Sequence, residues 1–521
     1  MLDLSPSLLY PVAFSACILC ALLYFEERRR SHPPFPPGPK PLPIIGNLRD
    51  LPRKKEGMIY HEWAKRYGDI FHVEVLGRRM IFLNTPKAAN DLFNKQSSNY
   101  SDRNHLHMIN DLMGWDWSFG MMEYGDRWKK HRVMFDRKFR ASQAPAFWPI
   151  QKQRAQGLLK DLLESPERFM DHLRHAAAST IMKITYGIDV SKHEDQYIAV
   201  AEEALLAMAK AASPGAFLVD LIPILKYVPA WFPGAGFQRK AREWKKTTLK
   251  MRDAPFEHVK TAMAHGNASP SFVSELINEV ETSKSNLNEQ KREIATVRDC
   301  AGLAYAESIV SALSSFLLAM SLYPEVQQKA QSYLDAVCPD RLPDFSDRPS
   351  LPYIDAICKE VLRWGPEAPL GLPHMATKDG IYEGYYIPAG ASIDLEVAEY
   401  STTRAILHDE VVYPEPMKFK PERWLPTDGR PVPPDPDIAA FGYGRRICPG
   451  RFIADAQLFI TIASILSVFK ISPVTKDRFT RPDDLHELFT GGMISHPEPF
   501  KCNIEPRGPK ALELIRQVND L

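Results

Sequence analysis

Apolar residues change their spacing along this chain, and each change marks an element. From Ser7 to Phe25 they run almost unbroken and without a charge, and Glu26-Glu27-Arg28-Arg29-Arg30 comes directly after. About 18 apolar residues are enough for a helix to cross a bilayer. Arginines on the far flank keep the downstream chain on the cytosolic side. A cleaved leader would carry its positive charge before the apolar run, so residues 1–30 read as a membrane anchor. From Pro33 to Pro43 the chain is dominated by proline, which fixes φ and blocks helix continuation. Residues 31–50 are therefore expected to form a stiff extended hinge between anchor and globule.

Residues 51–521 read as one domain. Tyr60–Tyr67 has helical spacing, and Ile70–Val75 and Arg79–Asn84 are strand-like. Residues 125–365 are mostly helical in pattern. Ile294–Leu322 is long, apolar and nearly free of Pro and Gly, which predicts a buried central helix ended by Tyr323-Pro324. Leu351–Trp364 is a second helix, stopped by Gly365-Pro366. Short strands and turns occupy Pro369 to Leu395, then a proline-rich meander covers Asp409–Pro436, then a helix covers Arg451–Phe469. The fold class is α+β, predominantly helical.

Composition removes some functions. The net charge of +1 gives no electrostatic case for nucleic acid. The seven cysteines are scattered, and Cys17 and Cys20 fall inside the apolar run, so neither a disulfide framework nor a structural zinc site is expected. Asn99-Tyr100-Ser101 and Asn267-Ala268-Ser269 match the glycosylation sequon, which stays unused if the domain faces the cytosol.

Candidate chemistry concentrates in Phe441-Gly442-Tyr443-Gly444-Arg445-Arg446-Ile447-Cys448-Pro449-Gly450. Glycines let a backbone pass close to a flat cofactor. Arginines and a helix N-terminus just downstream favour an ionised sulfur. Cys448 is thus either a thiolate that ligates a metal or a buried structural cysteine.

This loop matches, at every fixed position, the Phe-x-x-Gly-x-Arg-x-Cys-x-Gly pattern of the cytochrome P450 family, and the whole chain resembles fungal microsomal members of it. The resemblance implies a haem held between a long central helix and the Cys-bearing loop, with small sheets on one side. Cys448 would be the axial iron ligand, a thiolate that pushes electron density onto iron. Phe441 would pack near the sulfur and Arg446 would pair with a haem propionate. Trp128-Lys129-Lys130-His131-Arg132 matches Trp-x-x-x-Arg, whose i and i+4 side chains, Trp128 and Arg132, share a helix face and would reach propionates. His374 falls where the family often places another propionate contact. Glu360-Val361-Leu362-Arg363 matches Glu-x-x-Arg, and Arg423 resembles the arginine completing that cluster; their implied role is structural.

The central helix departs from the family. Aligned on Val310–Leu313, the oxygen-side segment reads Ala304-Tyr305-Ala306-Glu307-Ser308. Glu307 stands for the usual Asp and Ser308 for the usual Thr, and both still move protons. Tyr305 replaces a small residue. A second register, using Ala301-Gly302, would put Tyr305 at the Thr position. Three functions stay open: a monooxygenase, a haem-thiolate isomerase or dehydratase-like enzyme that needs no external electrons, and a haem-binding protein without catalysis.

For the monooxygenase, the resemblance implies haem b and no NADPH site on this chain. Electrons would come from NADPH-cytochrome P450 reductase, with cytochrome b5 as a further donor. Lys129, Lys130, Arg137, Lys138, Arg140, Arg445 and Arg451 would form the basic docking face. The anchor would be single-pass in the endoplasmic reticulum, with the domain cytosolic. Met113, Trp115, Trp117, Phe119, Leu370, Leu372 and Phe489 lie in the family's pocket segments and suit a hydrophobic small molecule. The overall pattern resembles secondary-metabolism enzymes of mushrooms. A terpenoid is the first expectation, an aromatic polyketide or indole the second.

Overall fold

The computed structural model describes residues 32–51, 56–192, 194–212, 215–304, 309–369, 371–390, 392–394, 403–426, 431–474, 488–490 and 494–518. The apolar segment of the expected anchor lies outside these residues, as do Tyr305, Glu307 and Ser308.

Helices dominate the described residues. After α1 (Glu56–Tyr67) come α2 (Asp126–Phe139), α3 (Trp148–Glu164), α4 (Phe169–Tyr186), α5 (Gln196–Ala212), α6 (Gly236–Ala264) and α7 (Phe272–Glu281). The long apolar run appears as α8 (Leu287–Ala304) and α9 (Ile309–Leu322), on either side of residues 305–308. The later helices are α10 (Pro324–Val337), α11 (Pro352–Trp364), α12 (Arg451–Val468) and α13 (Pro509–Arg516). Proline occupies the first turn of α10 and of α11, where a missing N–H costs nothing.

Two of these helices explain where the core sits. α9 and α12 are buried along nearly their whole lengths, as expected of helices apolar on all sides. By length and composition, Leu287–Leu322 and Arg451–Val468 each contain an apolar stretch long enough to cross a membrane, yet most of each stretch is buried inside the protein. They pack with α3, α4, α10 and α11 into the largest core cluster. α9 tolerates serines there because their hydroxyls bond back along the helix. Ser315 Oγ donates to the Ser311 carbonyl at 2.8 Å and Ser321 Oγ to that of Leu318 at 2.7 Å. A second cluster joins α2, α5, α6, α7 and α8 to the segment from Met108 to Met122.

The sheets are small. β1 (Ile70–Val75) and β2 (Arg78–Leu83) form an antiparallel hairpin; β3 (His374–Met375), β4 (Gly380–Tyr382), β5 (Tyr385–Ile387) and β6 (Ser392–Asp394) come next. The main sheet runs β1-β2-β6-β3, with β6 parallel to β2, and β4 pairs with β5. β7 (Phe469–Pro473) and β8 (Cys502–Pro506) form a further antiparallel pair.

The proline-rich segment differs from a free spacer. Its backbone is bonded to the sheets: His72 N–H donates to the Pro37 carbonyl at 2.8 Å and Tyr386 N–H to that of Pro34 at 2.9 Å. Arg79 sits over the Phe35 ring at 3.9 Å. A Cβ at Gly38 would fall 2.1 Å from the His72 carbonyl oxygen, so only glycine lets the chain lie this close. The first sequon is also absorbed into structure: Asn99 bonds with Thr377 and Lys378, and Ser101 is buried.

Candidate active site

The Cys448 loop is pinned before α12 begins. Cys448 N–H donates to the Phe441 carbonyl at 2.7 Å, folding the segment back on itself. Gly444 has φ +53, and a Cβ there would lie 2.1 Å from the Phe93 carbonyl oxygen. Its N–H donates to Asn94 Oδ1 at 2.7 Å. This glycine is therefore required by an approach to protein backbone, not by room for a cofactor. Burial pushes the Cys448 thiol up. The Gly450 N–H pulls it the other way, the Glu367 charge adds to the rise, and Arg132 and Arg451 oppose it.

The thiol borders a cavity of about 410 Å³. Trp128, Arg132, His374, Phe441 and Arg446 also line it, so the structure brings together all six residues expected to hold the cofactor. Arg446 is largely spent on protein. Nε donates to the Ser101 carbonyl at 2.7 Å, Nη1 to that of Phe119 at 3.2 Å and Nη2 to that of Met122 at 2.7 Å. Its guanidinium stacks over Trp128 at 4.6 Å. Burial pulls it down to about 10, so it remains charged at neutral pH. Arg132 donates to the Ile447 carbonyl at 2.7 Å and pairs with Asp136 at 3.0 Å. Both arginines thus brace the Cys448 loop while facing the cavity.

His374 is constrained further. Nδ1 donates to the Tyr100 carbonyl at 2.6 Å, and the ring packs on Phe93 with centroids 4.2 Å apart. Burial first, then the charges of Arg103 and Arg446, hold its pKa well below the usual value. Neutral His374 with its proton on Nδ1 leaves Nε2 an acceptor, so it meets a carboxylate only after gaining a proton.

Arg103 has no motif to announce it in the sequence. It is buried, lines the cavity, and donates Nη1 to the Leu372 and Pro373 carbonyls at 2.7 and 2.8 Å. Its one signal is an arginine shortly before an aromatic-rich stretch, which is weak. Glu367, also on the wall, carries no motif at all.

Glu360, Arg363 and Arg423 come together beside the meander. Glu360 and Arg363 are fully buried. Arg363 Nε and Nη2 grip the Glu360 carboxylate at 2.9 and 2.8 Å. Arg423 Nε reaches both its oxygens at 3.1 Å and Trp424 Nε1 donates at 3.0 Å. Arg363 Nη1 also donates to the Leu407 and Pro416 carbonyls at 3.0 and 2.8 Å. A buried pair this fully bonded holds irregular backbone that makes few bonds of its own.

Of the expected pocket residues, Trp115, Phe119 and Leu372 line the cavity. Among the described lining residues Met113, Trp117 and Phe489 are absent; Phe489 packs on Trp364, with centroids 5.4 Å apart. Leu370, Tyr305, Glu307 and Ser308 lie outside the described residues. The neighbours of that last segment, Ala304 and Ile309, border the cavity.

Residues 36–504 match the family model described as cytochrome P450. A cytochrome P450 monooxygenase of Armillaria gallica is 44% identical over 502 residues, covering 94% of this chain and 95% of the relative. Another from Coprinopsis cinerea is 41% identical over 520 residues, covering 99% and 98%. Tryptamine 4-monooxygenase of Psilocybe cyanescens is 39% identical over 514 residues, covering 97% and 99%. A match of this length and relatives this similar make the chain a member of the cytochrome P450 family, an oxidoreductase of the haem-thiolate monooxygenase kind.

Proposed function

We propose that Cys448 is the axial ligand of a haem b and that the chain oxidises a hydrophobic fungal secondary metabolite. The observation that carries this is the position of the Cys448 thiol on the wall of a large cavity that also exposes Trp128, Arg132, His374 and Arg446. These residues fit the group. A thiol that burial holds protonated ionises on coordinating a metal cation. Arg132, Arg446 and Arg103 supply positive charge for two carboxylates, with His374 joining them once protonated. Bound there, thiolate-ligated iron supplies dioxygen activation. The protein's own share is to hold the group, exclude water and orient the substrate. Trp115, Phe119, Met121, Met208 and Leu303 provide an apolar wall for that. Glu307 and Ser308 would carry protons on the opposite side, and Tyr305 would narrow it.

Electrons come from NADPH through a cytochrome P450 reductase, with cytochrome b5 assisting. Lys129, Lys130, Arg137, Arg140 and Arg445 are exposed and suit an acidic partner. Lys138 is less available, since it binds Glu275 at 2.7 Å and Glu279 at 3.0 Å. Residues 1–30 anchor the chain in the endoplasmic reticulum membrane, residues 31–50 link it, and residues 51–521 form the cytosolic catalytic domain. The exposed apolar side chains of Leu218, Ile224, Tyr227, Trp231 and Phe232 support a membrane-facing surface.

For substrate, a terpenoid scaffold is the first candidate and an indole or aromatic polyketide the second; one relative is named for tryptamine, an indole amine. The test is the holoenzyme in reductase-containing microsomes, supplied with these scaffolds. Oxygenated product formed in step with NADPH, and falling at high salt, supports the reading. Product formed equally without NADPH overturns it.

A further inference from the structure

We propose that His105, His107 and Asp111 form a binding site for a divalent transition metal, Zn²⁺ first, and that the metal takes the place of Lys226 there. None of the three ligands is among the described lining residues of the Cys448 cavity, so this site is separate from the function proposed above.

One wide helical turn, Met108–Leu112, brings the ligands together. His107 and Asp111 are four residues apart and share its outer face. The Asp111 carboxylate lies between the two rings: Oδ1 is 2.8 Å from His105 Nε2, and Oδ2 is 2.8 Å from His107 Nδ1. One ligand atom from each residue falls within 4.8 Å of the others. Tetrahedral zinc, with bonds of about 2.0–2.2 Å, spaces its donors about 3.3 Å apart, so small side-chain rotations admit the ion. The inner side of the turn is fixed. Met108 and Ile109 are fully buried, and Met108 N–H donates to Asp220 Oδ1 at 2.8 Å.

Two imidazoles and a carboxylate suit a transition-metal dication, whereas Mg²⁺ and Ca²⁺ take oxygen ligands. A metal-bound histidine usually turns its other ring nitrogen toward a carboxylate, which sets the tautomer. Glu123 occupies that place, with Oε1 3.6 Å from His105 Nδ1. His105 is exposed, and His107 and Asp111 are partly so, which leaves the remaining coordination position to water. The cation now on the carboxylate is Lys226, whose Nζ donates to Asp111 Oδ2 at 3.1 Å. Zinc and an ammonium repel each other and need the same carboxylate. Metal binding therefore releases Lys226 and unties its turn, Pro223–Tyr227, from the segment. Trp115 N–H donates to the Ile109 carbonyl at 3.1 Å, so the metal-bearing turn also supports a residue of the cavity wall.

The test titrates the full-length haem-loaded enzyme, with any purification histidines removed, with ZnCl₂ by isothermal titration calorimetry and with MgCl₂ for comparison. We expect binding of zinc and no equivalent heat from magnesium. Loss of an outer partner alone costs about 10- to 100-fold in metal affinity, so His105→Ala combined with His107→Ala should cost at least that much, as should Asp111→Asn. Lys226→Met removes the competing cation and should tighten zinc about 2- to 5-fold. A cluster that only braces two loops gives no such gain. Zinc should also slow hydrogen exchange over residues 105–112 and quicken it over residues 223–227. The site is overturned if wild type binds no zinc, or if the double histidine variant binds it as tightly as wild type. The exchange with Lys226 is overturned if Lys226→Met binds zinc no more tightly. Unchanged circular dichroism shows that each variant is folded, and His105→Ala alone, at an exposed residue, decides the matter if the double variant does not fold.

Discussion

Two ionisable side chains, one fully buried and one half-buried, define opposite regimes in this protein. Around Glu360, donors converge from Arg363, Arg423, Trp424 and the Lys420 backbone, and the cluster is closed to solvent. Around Cys448, the sulfur looks into open volume, and the groups beside it are half spent on protein and half presented to the cavity. The first arrangement converts polar groups into stability. The second holds polar groups ready for something else to bind. Changes at the two sites should therefore separate folding from chemistry.

The largest effect should come at the open site. Cys448→Ala should abolish oxygenation and the red-shifted carbonmonoxide spectrum typical of thiolate haem, while helical circular dichroism is retained. Retained activity would contradict the ligand assignment. At the closed site the loss is of stability. Glu360→Ala leaves two guanidinium groups without their shared carboxylate, which should cost about 3–5 kcal/mol. Urea unfolding and soluble yield would show it, and a near-neutral result would mean that the meander is held by other contacts.

Arg446 lies between the regimes. Lysine cannot reproduce its planar fork, so Arg446→Lys should cost about 1.5–3 kcal/mol and should also speed haem loss. If haem retention alone changes, the carbonyl contacts matter less than their geometry suggests.

The smallest effect belongs to a more exposed network. Asp111 accepts from His105 and His107 at 2.8 Å and from Lys226 at 3.1 Å, tying two loop segments together. Partial burial works against its ionisation, yet these donors prevail and bring its pKa down to about 2. Because the folded value lies below the unfolded one, the stabilisation is present at neutral pH. It is lost as pH falls through about 4 toward 2. Asp111→Asn should cost about 1 kcal/mol, seen as faster hydrogen exchange near residues 105–112. It should also flatten the acid dependence there, and an unaltered acid profile would point to another carboxylate.

Legibility in the sequence divides along the same line. Elements with a period were readable: β1 has the expected boundaries, and α11 and α12 differ by one residue at an end. The Cys448 loop was readable because chemistry fixes its spacing. What Arg446 does with its donors was not, since its acceptors lie far upstream at Ser101, Phe119 and Met122. Glu367 was invisible because a single acid near a proline breaks no rule of pattern. The docking of residues 33–38 was also hidden, for an extended proline stretch has the same sequence whether free or bound.

That docking has a practical consequence. A truncation that passes Pro34 cuts into chain bonded to the sheets. Each residue removed from Pro34 through Gly38 would peel a bonded strip off the sheets and leave His72 N–H and Tyr386 N–H facing water. The body therefore cannot swivel about these prolines, because the strip they form is fastened to the sheets themselves.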